Sequence, residues 1–273
     1  MDPDLLWFNM FNKLLFLGTA QDGGVPQAGC NCRNCQSISR NVASIALTDE
    51  KSAVIIDATP DFRVQYRLLK ERFDVELRGI YLTHAHWGHY GGLMLLGKEG
   101  WNTRGMPVYL SSIFLDFLKR NEPFSYLIKS GVISPKVIDP EITSSHGIQA
   151  VPVDHRAEYS DTFGFIFTLN EMRILYMPDV DRLDDSVAKL IRTVDIAIID
   201  GTFFSPDEIK HRNFMEIVHP PVETSMDVFR DIADRIVFTH LNHTNPLLDR
   251  SGWEYRRVIA AGFRIAGDGD VIE

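Results

Sequence analysis

The sequence predicts a layered α/β fold in which two mixed β-sheets lie inside and helices cover their outer faces. Three observations carry that expectation. Ten short apolar runs rich in β-branched or aromatic residues recur along the 273 residues, and stretches with helical patterning lie between several of them. The early runs are joined by short connections, whereas the helices gather after Asp61. Parallel strands need a long crossover, so short early links favour sheets of mixed character over one purely parallel sheet.

In chain order, strands are expected at 13–17, 44–47, 53–56, 79–82, 108–110, 149–153, 163–169, 173–177, 196–199 and 236–239. Helices are expected at 62–72, 91–98, 112–119, 182–193 and 224–233. The segment 121–145, with Pro123, Pro135 and Pro140, is the least regular and reads as a loop excursion able to cover a site. No repeat, low-complexity tract or linker interrupts the chain, so residues 1–273 read as a single domain.

Composition narrows the function classes. A hydrophobic share of 45% supplies a substantial core and excludes disorder as the dominant state. The 28 Lys+Arg against 37 Asp+Glu leave a net charge of −9, which opposes the basic footprint that duplex nucleic acid requires. A small anionic substrate in a locally different cleft remains compatible with that balance. No run is long enough to span a membrane, and Met1-Asp2-Pro3-Asp4 is acidic where a secretory leader would be basic, so a soluble cytoplasmic protein is expected. Oligomeric state is left open between monomer and homodimer.

All three cysteines fall in Cys30-Asn31-Cys32-Arg33-Asn34-Cys35. An odd number so tightly spaced makes a poor disulfide framework. It makes a good partial metal site, because three thiolates on one turn converge on one ion and need one further ligand; retained thiols also suit a reducing compartment. The strongest signal is Thr83-His84-Ala85-His86-Trp87-Gly88-His89, at the end of the expected strand 79–82. Imidazole suits borderline divalent metals, and three of them at a strand end project toward one cleft. Without a metal, each buried histidine would need its own hydrogen-bond partner.

This histidine string resembles the metallo-β-lactamase superfamily, whose signature at this strand-to-helix junction is His-x-His-x-Asp-His. Later strings fall in that family's order: Val151-Pro152-Val153-Asp154-His155, Tyr176-Met177-Pro178-Asp179 and Phe238-Thr239-His240. The resemblance implies an αββα sandwich in which His84, His86 and His155 bind a first metal, His89 and His240 a second, and Asp179 both. It also makes Asp57 a buttress of the histidine loop, although a turn-initiating role fits the local sequence equally. One departure stands out: Gly88 replaces the family's aspartate, leaving the second position only His89, Asp179 and His240 and lowering its expected affinity.

His243 lies three residues past His240 and is the candidate fourth ligand for Cys30, Cys32 and Cys35, completing a Cys3His set of the kind that holds structural zinc. This pairing resembles the PhnP phosphodiesterases, in which the site is structural. Gly23-Gly24-Val25-Pro26-Gln27, Ala58-Thr59-Pro60-Asp61, Asp200-Gly201-Thr202-Phe203 and Thr244-Asn245-Pro246 resemble the PqqB family of pyrroloquinoline quinone biosynthesis. The chain departs from that family in keeping the full histidine triplet.

His219, in Val218-His219-Pro220-Pro221, stands where related phosphodiesterases carry a histidine able to protonate a leaving oxygen; a plain loop residue is the other reading. Asp22 reads either as a pocket carboxylate or as a turn former, Trp87 as packing on its own helix with a substrate wall as the other reading, and His146 and His211 as surface residues. The leading expectation is a hydrolase of small phosphodiesters, esters or lactones that uses a metal-bound hydroxide, with Asp179 and His219 as catalytic residues. Its cofactors would be Zn²⁺ at the cysteine cluster and one or two Zn²⁺, Mn²⁺ or Fe²⁺ ions in the cleft. The alternatives are an iron-dependent oxygenase or hydroxylase of cofactor biosynthesis, and a non-catalytic, metal-stabilised binding or carrier protein.

Overall fold

The computed structural model describes residues 11–209 and 219–273; the start of the chain and His211 lie outside them. The first sheet contains β1 (Lys13–Gly18), β2 (Ser44–Thr48), β3 (Ser52–Ile56), β4 (Glu76–Tyr81), β5 (Met106–Leu110) and β6 (Ile133–Val137). The second contains β7 (Gln149–Val153), β8 (Thr162–Leu169), β9 (Met172–Met177), β10 (Ile196–Asp200), β11 (Ile236–Thr239) and β12 (Arg264–Ile265). A last strand, β13 (Val271–Ile272), returns to the first sheet beside β1, giving the order β13-β1-β2-β3-β4-β5-β6 against β12-β11-β10-β9-β8-β7. Both sheets are mixed: β1–β2–β3 and β7–β8–β9 pair antiparallel, whereas β3–β4–β5–β6 and β9–β10–β11 run parallel.

Period-2 alternation assigns each strand's side chains to two different cores. Leu14 and Phe16, Ile45 and Leu47, and Val54 and Ile56 face Phe165, Phe167, Tyr176 and Ile198 between the sheets. Their neighbours Leu15, Leu17, Ala46 and Ile55 point outward into a core closed by Phe62, Leu69, Phe114 and Leu118. Those four belong to α2 (Phe62–Phe73) and α4 (Ser112–Arg120); α1 (Arg33–Ser37) and α3 (Trp87–Tyr90) precede α2 and α4 respectively in the chain. The outer face of the second sheet is covered by Val187, Met226 and Val258 of α6 (Asp185–Ile191), α7 (Val222–Val228) and α8 (Trp253–Ala260). Helix, sheet, sheet, helix is therefore the observed layering.

Segment 121–145 is not the expected excursion. It forms α5 (Phe124–Lys129) and the edge strand β6, and Phe124, Leu127 and Ile133 join the outer core of the first sheet. An edge strand leaves one side unpaired, which is why Pro135 is tolerated there; Pro152 lies on the other sheet's edge strand β7 for the same reason. The expected helix at 91–98 is a 3-10 turn, Gly91–Leu96, following α3. His146 is not a bare surface residue, since its Nδ1 lies 2.8 Å from the Tyr81 hydroxyl. Among the described residues, no helix is long and apolar enough to cross a membrane.

Candidate metal centre

The carboxyl ends of strands from both sheets meet at one edge of the sandwich. Asp57 follows β3, the His84–His89 string follows β4, His155 follows β7, Asp179 follows β9 and His240 follows β11. Asp57 and His240 hold positive φ angles of 71° and 61°, a conformation costly for side chains with a Cβ and found where surrounding structure imposes it. Asp57, His84, His89, His155, Asp179 and His240 are buried, and His86 is partly so.

The structure brings the expected residues into overlapping groups of donor atoms: His84, His86 and His155; His84, His89 and Asp179; and His89 and His240 with Asp22. His84 Nε2 lies 2.8 Å from His86 Nδ1. Asp179 sits between the groups, its Oδ1 facing His155 Nε2 (3.7 Å) and His240 Nε2 (3.5 Å), its Oδ2 facing His89 Nε2 (3.3 Å). Burial opposes its ionisation, but His240, His89, His155 and His84 around it hold its pKa well below the usual carboxylate range.

Each imidazole is aimed by a partner on its other nitrogen. His89 Nδ1 donates to Asp57 Oδ2 (2.7 Å), His84 Nδ1 to Thr83 Oγ1 (3.0 Å), His155 Nδ1 to Asp181 Oδ1 (3.0 Å) and His240 Nδ1 to Thr202 Oγ1 (2.9 Å). His86 is turned the other way, with Nε2 against Glu158 Oε2 (3.1 Å) and Nδ1 inward. Fixing one ring nitrogen fixes the tautomer and leaves the other for a metal. Asp57 thus buttresses the loop, also accepting the Thr83 backbone N–H at 2.8 Å. Asp181 and Glu158 carried no motif of their own in the sequence, whereas Thr202 lay in the Asp200-Gly201-Thr202-Phe203 string.

Four buried atoms in this pocket make no hydrogen bond among the described residues: Asp22 Oδ1, His89 Nε2, Asp179 Oδ2 and His240 Nε2. Orphaned polar atoms converging on one point are costly unless a cation satisfies them. The donor set fits borderline divalent ions, so the residues present suit the metals the sequence implied.

His219 reaches the same edge, its ring 5.3 Å from that of His155, and its Nδ1 donates to Asp200 Oδ2 at 2.6 Å. Burial disfavours its charged form, yet Asp200 outweighs that and raises its pKa to about 9. The Asp200-Gly201-Thr202 string carried this partner. Trp87 packs edge-on against Tyr90 of its own helix and, 57% exposed, also lines with Asp22, Arg40, Asp61 and Asn242 a cleft of about 620 Å³ beside the site.

His243 lines the same cleft, and its Nδ1 lies 3.4, 3.5 and 3.6 Å from the Sγ atoms of Cys30, Cys32 and Cys35. Zinc bonds of about 2.3 Å to sulfur and about 2.0 Å to nitrogen, at tetrahedral angles, place S and N about 3.5 Å apart. The thiols feel each other. Although burial pushes it up, hydrogen bonds led by the Cys35 backbone bring the Cys32 thiol to about 6, whereas burial and the neighbouring thiols push Cys35 to about 11. Three adjacent thiolates need a cation among them.

Residues 52–241 match the beta-lactamase superfamily domain. The chain belongs to that superfamily. Its metallo-β-lactamase fold is shared with zinc-bound PqqB from Methylobacterium extorquens, which superposes with a TM-score of 0.81 at 24% identity over 96% of this chain and 99% of that one. A diphosphatase of the PhnP family superposes at 0.71 with 25% identity, covering 95% and 96%. Relatives named coenzyme PQQ synthesis protein B include that of Nitrosococcus oceani, 28% identical over 94% of this chain and 98% of its own length, and that of Rhizobium meliloti, 28% over 94% and 96%. Within the superfamily the chain is thus PqqB-like, with a cysteine and histidine arrangement resembling the PhnP group.

Proposed function

We propose that the chain is a metal-dependent hydrolase of a small ester-type substrate of the phosphodiester, ester or lactone class. The observation that carries this reading is the donor set at the sandwich edge, in which Asp179 faces His89 with one oxygen and His155 and His240 with the other. Divalent ions bound there supply Lewis acidity and bring a water's pKa to near neutrality. The chain's own residues do the remainder. Asp179, ionised by its imidazole neighbours, faces both donor groups at once. His219, oriented by Asp200, holds a proton at neutral pH beside His155, where it is placed to protonate a leaving oxygen. The cleft walled by Trp87 and Arg40 receives a small polar or anionic substrate. Zinc is the ion proposed for Cys30, Cys32, Cys35 and His243, and one or two Zn²⁺, Mn²⁺ or Fe²⁺ ions for the edge.

The test is a panel of phosphodiester, ester, thioester and lactone substrates assayed with and without added Zn²⁺ or Mn²⁺. Turnover that depends on metal and falls by about 10³-fold or more in His86→Ala and Asp179→Ala supports the reading; hydrolysis independent of both metal and His86, or none on any substrate, sinks it. A second reading, an iron-dependent oxygenase or hydroxylase in the synthesis of pyrroloquinoline quinone or a related cofactor, draws on the full-length similarity to relatives named for that synthesis. Iron at the edge site with oxygen uptake on a tyrosine-like substrate would favour it; zinc alone with no uptake would exclude it.

A further inference from the structure

The sequence left the second metal position short of a ligand because Gly88 stands where an aspartate is expected. The space at Gly88 is not empty. A Cβ built there would lie 2.3 Å from Asp22 Oδ1 and 2.7 Å from Asp22 Cα, so the carboxylate of a distant residue already occupies the volume that an aspartate side chain at this position would enter.

We propose that Asp22 is the missing fourth ligand of the second metal position, delivered from the loop after β1 in place of the aspartate that Gly88 replaces. Its Oδ1 is 3.1 Å from His89 Nε2 and 3.7 Å from His240 Nε2, and Asp179 flanks the same two nitrogens with separate oxygens, Oδ2 3.3 Å from His89 Nε2 and Oδ1 3.5 Å from His240 Nε2. A tetrahedral shell with bonds of about 2.1 Å has donor-to-donor edges of about 3.4 Å, which the distances of Asp22 Oδ1 to the two imidazole nitrogens and of Asp179 Oδ2 to His89 Nε2 bracket. The four unpartnered buried atoms of the pocket are one from each of these residues, as a single coordination shell requires. A turn-forming role does not account for Asp22: among the described residues its carboxylate accepts no hydrogen bond from the backbone of its own turn.

The backbone explains how residue 22 comes to stand beside residue 240. Ala20 bridges Leu241 in parallel, the Gln21 N–H donates to Leu241 O at 2.9 Å, and the turn closes by Gly24 N–H to Gln21 O at 2.8 Å. The same two loops carry the Cys3His group a few residues further on: the Gln27 N–H points to Cys35 Sγ at 3.3 Å, and His243 follows His240. Asp22 and His240 are therefore both held by segments that the cysteine cluster ties together. The inference concerns metal occupancy and goes beyond the proposed reaction, holding whether the substrate is an ester or not.

The test counts metal and does not read activity. The full chain is stripped, reloaded with Zn²⁺ and dialysed, and ions per chain are measured; a Mn²⁺-loaded sample is examined by electron paramagnetic resonance for exchange coupling between neighbouring ions. Wild type should hold three ions, and Asp22→Asn two, with the dissociation constant of the lost ion weakened by about 100-fold or more and the coupling gone. Gly88→Asp alone should destabilise the fold, because its Cβ has no room beside Asp22. The exchange Asp22→Gly with Gly88→Asp should relieve that conflict and recover the third ion. Asp22→Asn keeping three ions at unchanged affinity, wild type taking up only two, or a folded double variant with no more metal than Asp22→Gly would each overturn the proposal.

Discussion

Replacing His243 by alanine removes one imidazole and leaves the backbone ties of its loop intact, since Asn34 Nδ2 donates to the carbonyls of His243 and Asn245 at 3.0 and 3.1 Å. What disappears is the link between His243 and Cys30, which lie 213 positions apart in the chain. In the chain-entropy account, closing a loop of that length restricts the unfolded state by about 5 kcal/mol. Unfolding entropy of about 2.1 cal/mol/K per residue comes to about 570 cal/mol/K for this length, so the full effect lowers Tm by about 9 °C. Zinc held by Cys30, Cys32 and Cys35 in the unfolded chain reduces that effect, and a fall of about 4–9 °C in saturating zinc is the expected result. The assay is a thermal melt of wild type and His243→Ala, each with zinc and with chelator. The variant should be the less stable in zinc, and the gap should close in chelator. A variant melting within about 1 °C of wild type in zinc would refute the cross-link.

Two further outcomes follow from single side chains. In Asp200→Asn, His219 loses the partner that raises its pKa to about 9, so the basic limb of a hydrolysis rate profile should move to lower pH by about one unit or more; a uniform loss of rate at every pH would mean that Asp200 only holds the loop. Burial raises Glu208 from 4.5 to about 7, against hydrogen bonds from Thr244 and the Phe204 backbone. The folded state therefore prefers the protonated acid: its contribution to stability is full below about pH 4.5 and is lost as pH rises through about 7. For a half-buried group that amounts to about 1–3 kcal/mol, and Glu208→Gln should flatten the pH dependence of chemical denaturation between those limits; an unchanged slope would count against it.

What the sequence could reveal depends on whether the determining interaction is local. The ten expected strands all form, because alternation and β-branched content act within each run, as in β1, where Leu14 and Phe16 face one core and Leu15 and Leu17 the other. Strand β6 escaped notice because Pro135 and Lys136 suit only an edge, and being at an edge is decided by the rest of the sheet. The same division runs through the metal centre. His84, His86 and His89 share one string, and His155, Asp179 and His240 were legible because each ends a strand in a fixed family order. Asp22 was legible only as two equal alternatives, for the gap it fills is at Gly88 and the two meet only because Ala20 bridges Leu241. A glycine in place of a ligand also frees volume, and in this fold the freed volume holds a carboxylate from another loop. Glycine at 88 and aspartate at 22 are two halves of one steric requirement: with a side chain at 88 the loop after β1 could not approach, and without Asp22 the space would leave His89 and His240 facing an incomplete shell.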